Sequence, residues 1–122
     1  MKNHNIGILC QLRDIYRAIT DFENQFSHVH GLSLNEGMLL CTLSGSGTLS
    51  SGEIAEMLGL TNSNASKVIR SVENKGLVER TLGNEDRRQM YFTLTNEGKK
   101  TISEIKTEDF EIPESLSPYI DR

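Results

Sequence analysis

Apolar residues recur along the first quarter of the chain at helical spacing. Over residues 5–29 the steps alternate between four and three residues, a heptad pattern that predicts one long helix. The members of this first-helix stripe are Ile8, Leu12, Ile15, Ile19, Phe22 and Phe26. A stripe of this kind either packs within its own domain or faces a second subunit, and the pattern leaves both alternatives open.

Two capping boxes mark the starts of the next two helices. Ser33 and Glu36 are three residues apart, as are Ser50 and Glu53, so the two side chains of each pair can bind backbone N–H groups of one another. The second box predicts a helix over 51–58. A Ser- and Gly-rich run and a short extended link separate it from the helix before.

A fourth helix follows directly after a glycine turn. Gly59 has the position of a left-handed C-cap and Thr61 that of an N-cap, and the helix is predicted to run to Lys75. Its apolar face consists of Ala65, Val68, Ile69 and Val72. Two short helices joined through a Gly-containing turn predict a helix-turn-helix.

The next segment has the pattern of a hairpin. Residues 77–81 and 89–94 are predicted strands, and the polar run between them is rich in turn-forming residues. A fifth helix is predicted from Thr95 to about Asp109, followed by an irregular tail over 110–122. The expected fold is therefore mainly α with a small β-hairpin wing, a winged helix-turn-helix of five helices plus a short irregular C-terminal tail.

The length of 122 residues suits a single winged-helix domain with one core. We expect residues 1–30 to form the N-terminal helix, whose stripe is the candidate dimer contact, 33–94 the winged helix-turn-helix, and 95–122 the C-terminal helix and tail. No apolar run is long enough for a membrane span, and no cofactor is predicted. These features lead us to expect a cytoplasmic protein.

The charge distribution changes this picture in one respect. The net charge is −4, yet residues 61–100 carry eight Lys and Arg against five Asp and Glu. A local positive block on an acidic body is compatible with a DNA-binding face, since phosphate contacts need cations.

The solvent face of the fourth helix carries short polar side chains where exposed helices usually have Glu, Lys or Gln. Such side chains allow close approach to base edges in the major groove, and asparagine can pair with adenine. The predicted DNA-reading residues are Asn62, Ser63, Asn64, Ser66, Lys67 and Arg70. The alternative is that Asn62, Ser63 and Asn64 only cap the helix, although capping needs a single one of them.

The hairpin tip is charged. Arg87 and Arg88 follow Asp86, and an arginine at such a tip can enter the narrow minor groove. By composition alone, a solvated charge cluster is the favoured interpretation.

Several motifs occur in an order that resembles one family. They are the run from Glu53 to Leu60 (EIAEMLGL), Asn64 to Arg70 (NASKVIR), Glu73 to Arg80 (ENKGLVER), Asp86 to Arg88 (DRR) and Leu94 to Gly98 (LTNEG). Together, over residues 33–100, they resemble the multiple-antibiotic-resistance regulator (MarR) family.

The resemblance implies a homodimeric winged-helix transcriptional regulator of duplex DNA, commonly a repressor that a small-molecule effector or an oxidant releases. It implies that residues 62–70 read the major groove, and that Arg88 is the wing arginine with Asp86 orienting it. Family members usually continue into a sixth helix that completes the dimer. This chain has only a short Pro-containing tail there.

Four other hypotheses concern sensing and class. Cys10 has a position similar to the peroxide-sensing cysteine of one branch of the family, but a buried and inert thiol is the favoured interpretation. A zinc site is not predicted from His28, His30, Glu36 and Cys41. Zinc-sensing members of the family also use histidines of the fifth helix, and this chain has no histidine after His30. An enzyme is not predicted, since no catalytic motif is present. A protein-interaction module would need neither the polar helix face nor the wing arginines.

Overall fold

The computed structural model describes residues 4–82 and 90–120, and these residues form a winged helix-turn-helix. The elements in chain order are α1 (His4–His30), α2 (Leu34–Ser46), β1 (Thr48–Ser50), α3 (Ser51–Leu58), α4 (Asn62–Asn74), β2 (Val78–Leu82), β3 (Met90–Leu94), α5 (Asn96–Lys106) and a 3-10 helix (Glu114–Tyr119). The predicted fold class is confirmed. None of the described helices combines the length and the apolar character needed to cross a bilayer.

The chain divides into two compact units. One consists of Met1–Ser33 with Asp109–Arg122, and the other of Leu34–Glu108. The second unit contains the helix-turn-helix and the sheet, and its most deeply buried side chains are Leu39, Leu40, Leu43, Ile54 and Val72. Each buried aliphatic side chain contributes about 1.5–3 kcal/mol through removal of apolar surface from water. The centre of the core is therefore formed where α4 packs against α2 and α3.

The turn between α3 and α4 follows the predicted pattern. Ser50 and Glu53 form the capping box that begins α3: the Ser50 N–H donates to Glu53 Oε1 at 2.8 Å, and the Glu53 N–H donates to Ser50 Oγ at 3.2 Å. Gly59 ends the helix at φ 68°, a left-handed conformation that favours glycine. The Leu60 N–H then donates to the Ala55 carbonyl at 2.9 Å, which closes the turn.

The sheet has one more strand than the predicted hairpin. β2 and β3 pair antiparallel, with Arg80 opposite Phe92, and β1 pairs with the other edge of β3, with Leu49 opposite Phe92. The described strands thus have the order β1-β3-β2. The segment predicted as an extended link is a strand, because β3 supplies a hydrogen-bonding partner that is distant in the sequence.

The C-terminal boundaries also differ from the predicted ones. α5 ends at Lys106 rather than near Asp109, where the Thr107 hydroxyl donates to the Glu104 carbonyl at 2.8 Å. The tail predicted to be irregular contains a 3-10 helix. Its first turn closes through a hydrogen bond from the Leu116 N–H to the Pro113 carbonyl at 2.9 Å.

In the first unit, α1 has two contrasting halves. Its C-terminal half packs against the tail: the Phe110 ring lies 5.4 Å from that of Phe22 and 6.0 Å from that of Phe26, between ring centroids. In its N-terminal half, Leu12 is 56% exposed and Tyr16 is 72% exposed. Only part of the first-helix stripe is therefore covered within this unit.

Candidate nucleic-acid interface

The residue just before α4 supplies its N-terminal cap. Thr61 has an extended backbone at φ −67° and ψ 158°, and its hydroxyl accepts a hydrogen bond from the Asn64 N–H at 3.1 Å. An N-cap side chain satisfies one of the free N–H groups in the first turn of a helix. Thr61 was predicted for this role, and its presence leaves the side chains of Asn62, Ser63 and Asn64 available for other contacts.

The six predicted DNA-reading residues lie together on α4. All are exposed, whereas Ala65, Ile69 and Val72 on the other side of the helix are buried. We call these six the polar face of α4: Asn62, Ser63, Asn64, Ser66, Lys67 and Arg70. Within the described ranges, none of their side chains forms a hydrogen bond or an ion pair with another residue.

This face combines two kinds of chemistry. The amides and hydroxyls can donate and accept hydrogen bonds at base edges, and the Lys67 and Arg70 cations can bind phosphates. A helix with short side chains fits the width of the major groove. The polar face of α4 can therefore both read and anchor a duplex.

The C-terminal half of α4 is joined to the wing strand β2. The Arg80 guanidinium donates two hydrogen bonds to the Glu73 carboxylate, from Nε to Oε2 at 2.7 Å and from Nη2 to Oε1 at 2.9 Å. It also lies 5.8 Å from the centroid of the Phe92 ring. This hydrogen bonding, with the charge of Arg80, lowers the pKa of Glu73 below its ordinary value, although partial burial opposes the shift. The pair stays charged at neutral pH and fixes the base of the wing to α4.

A second link joins α4 to α2, and sequence reasoning missed it. Glu36 is buried, at 4% exposure, and accepts hydrogen bonds from Ser71 Oγ and from Lys75 Nζ, the latter at 2.9 and 3.0 Å to its two oxygens. Its place in a capping-box pattern gives no sign of this role. One available signal was the presence of Ser71 and Lys75 four residues apart, which places both on one side of α4.

The LTNEG motif holds α5 against the turn between α4 and β2. Thr95 caps α5 by accepting from the Gly98 N–H at 3.0 Å, and its hydroxyl donates to the Gly76 carbonyl at 2.7 Å. A Cβ at Gly98 would lie 2.0 Å from the Leu77 carbonyl oxygen. The backbones approach so closely that only glycine fits.

The remaining predicted residues fall into two groups. The wing residues Asp86, Arg87 and Arg88 lie outside the described residues. Cys10 is a free thiol on α1 and is half-buried, whereas a buried and inert thiol was the favoured interpretation; the redox sensor stays the alternative hypothesis. Across the described chain, no three His, Cys, Asp or Glu side chains come close enough together to bind a metal ion.

Comparison with known proteins agrees with this architecture. Residues 32–90 match the model of the MarR family. The chain is 29% identical over 96 residues to the uncharacterized HTH-type transcriptional regulator YwaE of Bacillus subtilis, an alignment that covers 79% of this chain and 56% of YwaE. The chain spans about half the length of the curated relatives it matches first.

Solved structures show the same fold. The transcriptional regulator BldR from Sulfolobus solfataricus superimposes with a TM-score of 0.73 at 25% identity, over 85% of this chain and 76% of BldR. A mutant MarR from E. coli, solved in complex with operator DNA, superimposes with a TM-score of 0.72 at 16% identity, over 84% of this chain and 76% of that one. The family match, the shared fold and the ordered motifs lead to one conclusion: residues 32–90 form a winged helix-turn-helix that matches those of the MarR family.

Proposed function

We propose that this protein is a sequence-specific transcriptional regulator that inserts α4 into the major groove of duplex DNA. The observation that carries the proposal is the polar face of α4, whose exposed side chains form no hydrogen bond or ion pair among the described residues. Thr61 caps the helix, so Asn62, Ser63 and Asn64 are not needed for that role. YwaE and BldR are named as transcriptional regulators, and the E. coli MarR structure contains operator DNA. The proposed wing contact is Arg88 in the minor groove, oriented by Asp86.

Substitutions on the helix and on the wing should have different effects. Asn64→Ala should weaken binding to the best site by about 1–3 kcal/mol and relax base preference at one or two positions, since it removes a base-edge contact. Arg88→Ala should weaken binding and reduce by about one the slope of log affinity against log salt concentration, since it removes a phosphate-side cation. Its effect on sequence preference should be limited to A·T content, because the minor groove distinguishes little else. Fluorescence anisotropy on a matched and a scrambled duplex at two salt concentrations measures both effects.

The matched control is Asn96→Ala, which removes an exposed asparagine from the first turn of α5 instead of α4. It should bind both duplexes as the unsubstituted protein does. If Asn64→Ala and Arg88→Ala are folded and bind with unchanged affinity, the DNA surface has been assigned to the wrong residues.

We further propose that the protein binds DNA as a homodimer. The support is the stretch of α1 from residue 8 to residue 19, where five apolar side chains are between 41% and 72% exposed: Ile8, Leu9, Leu12, Tyr16 and Ile19. A continuous apolar helix face of this kind is rarely left in water. A second copy of the same helix would cover it through a two-fold interface.

A two-fold dimer constrains the shape of the binding site. Its two α4 helices would enter successive major grooves about 34 Å apart, so the preferred site should be a pseudo-palindrome with half-sites about 10 bp apart, centre to centre. Sequencing of genomic fragments selected by the purified protein tests this directly. Selection of a single asymmetric half-site would contradict the two-fold arrangement.

The regulatory output we propose is repression, relieved by a small-molecule effector or by stress, as the family resemblance implies. A protein-interaction module explains the fold equally well but gives no role to the polar face of α4. The fragment selection separates these functions, because an interaction module would enrich no sequence.

A further inference from the structure

Glu36 lies in the first turn of α2 and is the most deeply buried charged residue among those the structure describes. Its side chain is 6% exposed, while that of its partner Lys75 is 39% exposed. A buried carboxylate is costly unless it is paired and hydrogen-bonded. Ser71 and Lys75 satisfy it together; Ser71 lies in α4 and Lys75 is the C-cap residue of the same helix.

Ser71 and Lys75 lie on one flank of the α4 axis, between the side that faces solvent and the side that is buried. Successive residues of a helix are rotated by about 100° about its axis. On this spacing the centre of the polar face lies near Lys67 and Arg70, and the buried side of α4 lies opposite. Ser71 and Lys75 project between the two on one flank, and Glu73 projects on the other. Glu36 therefore holds one flank of α4, while Arg80 holds the opposite flank through Glu73.

A helix held on both flanks cannot easily rotate about its own axis. The buried apolar contacts of Ala65, Ile69 and Val72 resist separation of the helix from the core, but apolar packing is not directional. Hydrogen bonds to a fixed carboxylate are directional. Base-edge contacts need side chains held within about 0.5 Å and 10–20° of the productive geometry, so small rotations of α4 matter.

We propose that Glu36 is a positioning residue for sequence recognition: through Ser71 and Lys75 it fixes the rotation of α4 about its axis, and so the base preference of the protein. This inference rests on the proposed function, DNA reading by the polar face of α4. Glu36 itself touches no DNA in this scheme. Glu36 therefore affects how strongly the protein prefers one base sequence over another, and not its general affinity for phosphates.

The test uses Glu36→Gln, which keeps the shape of the side chain, and Lys75→Gln, which keeps a polar but shorter side chain; each removes the ion pair. Each should bind the matched duplex about tenfold more weakly while its affinity for the scrambled duplex is unchanged. The double variant should lose no more affinity for the matched duplex than either single variant does, because both substitutions break the same contact. Glu104→Gln, at an exposed position of α5, makes the same charge change as Glu36→Gln and should bind as the unsubstituted protein does. Binding is measured well below the melting transition of every variant.

Three outcomes would overturn the proposal. If Glu36→Gln melts at a lower temperature but discriminates as well as the unsubstituted protein, Glu36 is only structural. If Lys75→Gln weakens binding to both duplexes equally and reduces the slope of log affinity against log salt concentration by about one, Lys75 is a phosphate contact instead. If the unsubstituted protein does not discriminate between the duplexes, the proposed function fails too, a result distinguishable from the first two.

Discussion

Gly98→Ala should destabilise the protein by about 3 kcal/mol, the upper end of the cost of overpacking. The added Cβ would lie 2.0 Å from the Leu77 carbonyl oxygen and 3.0 Å from its carbon, and both are backbone atoms that cannot rotate away. To relieve the overlap, the start of α5 must move from the α4–β2 turn. That movement breaks the hydrogen bond from the Thr95 N–H to the same carbonyl. Urea unfolding followed by circular dichroism measures the loss.

The control for this substitution is Gly52→Ala in α3. A Cβ there meets no atom closer than 4.0 Å, and the position is helical and exposed. Alanine should therefore be neutral or stabilising by up to about 1 kcal/mol, because it reduces the conformational freedom of the unfolded chain. Equal free energies of unfolding for Gly98→Ala and Gly52→Ala would show that α5 can move away from the Leu77 carbonyl without loss of stability.

Leu12→Glu should convert the proposed homodimer into a monomer. It places a charge in the exposed apolar half of α1, where two copies would bury it without a partner. Light scattering should then give the mass of one chain, 13.7 kDa, in place of twice that value. Affinity for the full pseudo-palindrome should fall at least about a hundredfold, because the second half-site no longer binds as part of the same molecule.

Asn24→Glu adds the same charge at an exposed polar position of α1 and should leave the mass and affinity unchanged. A monomeric mass for the unsubstituted protein, persisting with DNA present, would remove the homodimer proposal. A dimer that survives Leu12→Glu would place the interface elsewhere.

The elements that could be predicted from sequence are those set by neighbouring residues. The capping box at Ser50 and Glu53, the left-handed Gly59 and the Thr61 cap all depend on groups within a few positions, and the structure confirms them. The long α1 helix is confirmed within one residue at each end. The polar face of α4 follows from helical spacing once the helix is known.

The features that could not be predicted depend on distant partners. β1 exists because Leu49 pairs opposite Phe92, and a segment of three residues shows no strand pattern alone. Glu36 contacts residues 35 and 39 positions away, so local spacing suggested only a cap. Coverage of the first-helix stripe likewise depends on Phe110, at the other end of the chain.

The Thr61 cap separates two tasks that α4 would otherwise share. The residue that secures the start of the helix is not one of the six that would face DNA, so these six can be exchanged during evolution without weakening the fold at that point. Related copies of such a gene could thus diverge toward new operators by a few substitutions, each costing little in stability. The same scaffold can serve many regulatory circuits because its capping residue and its reading residues are different.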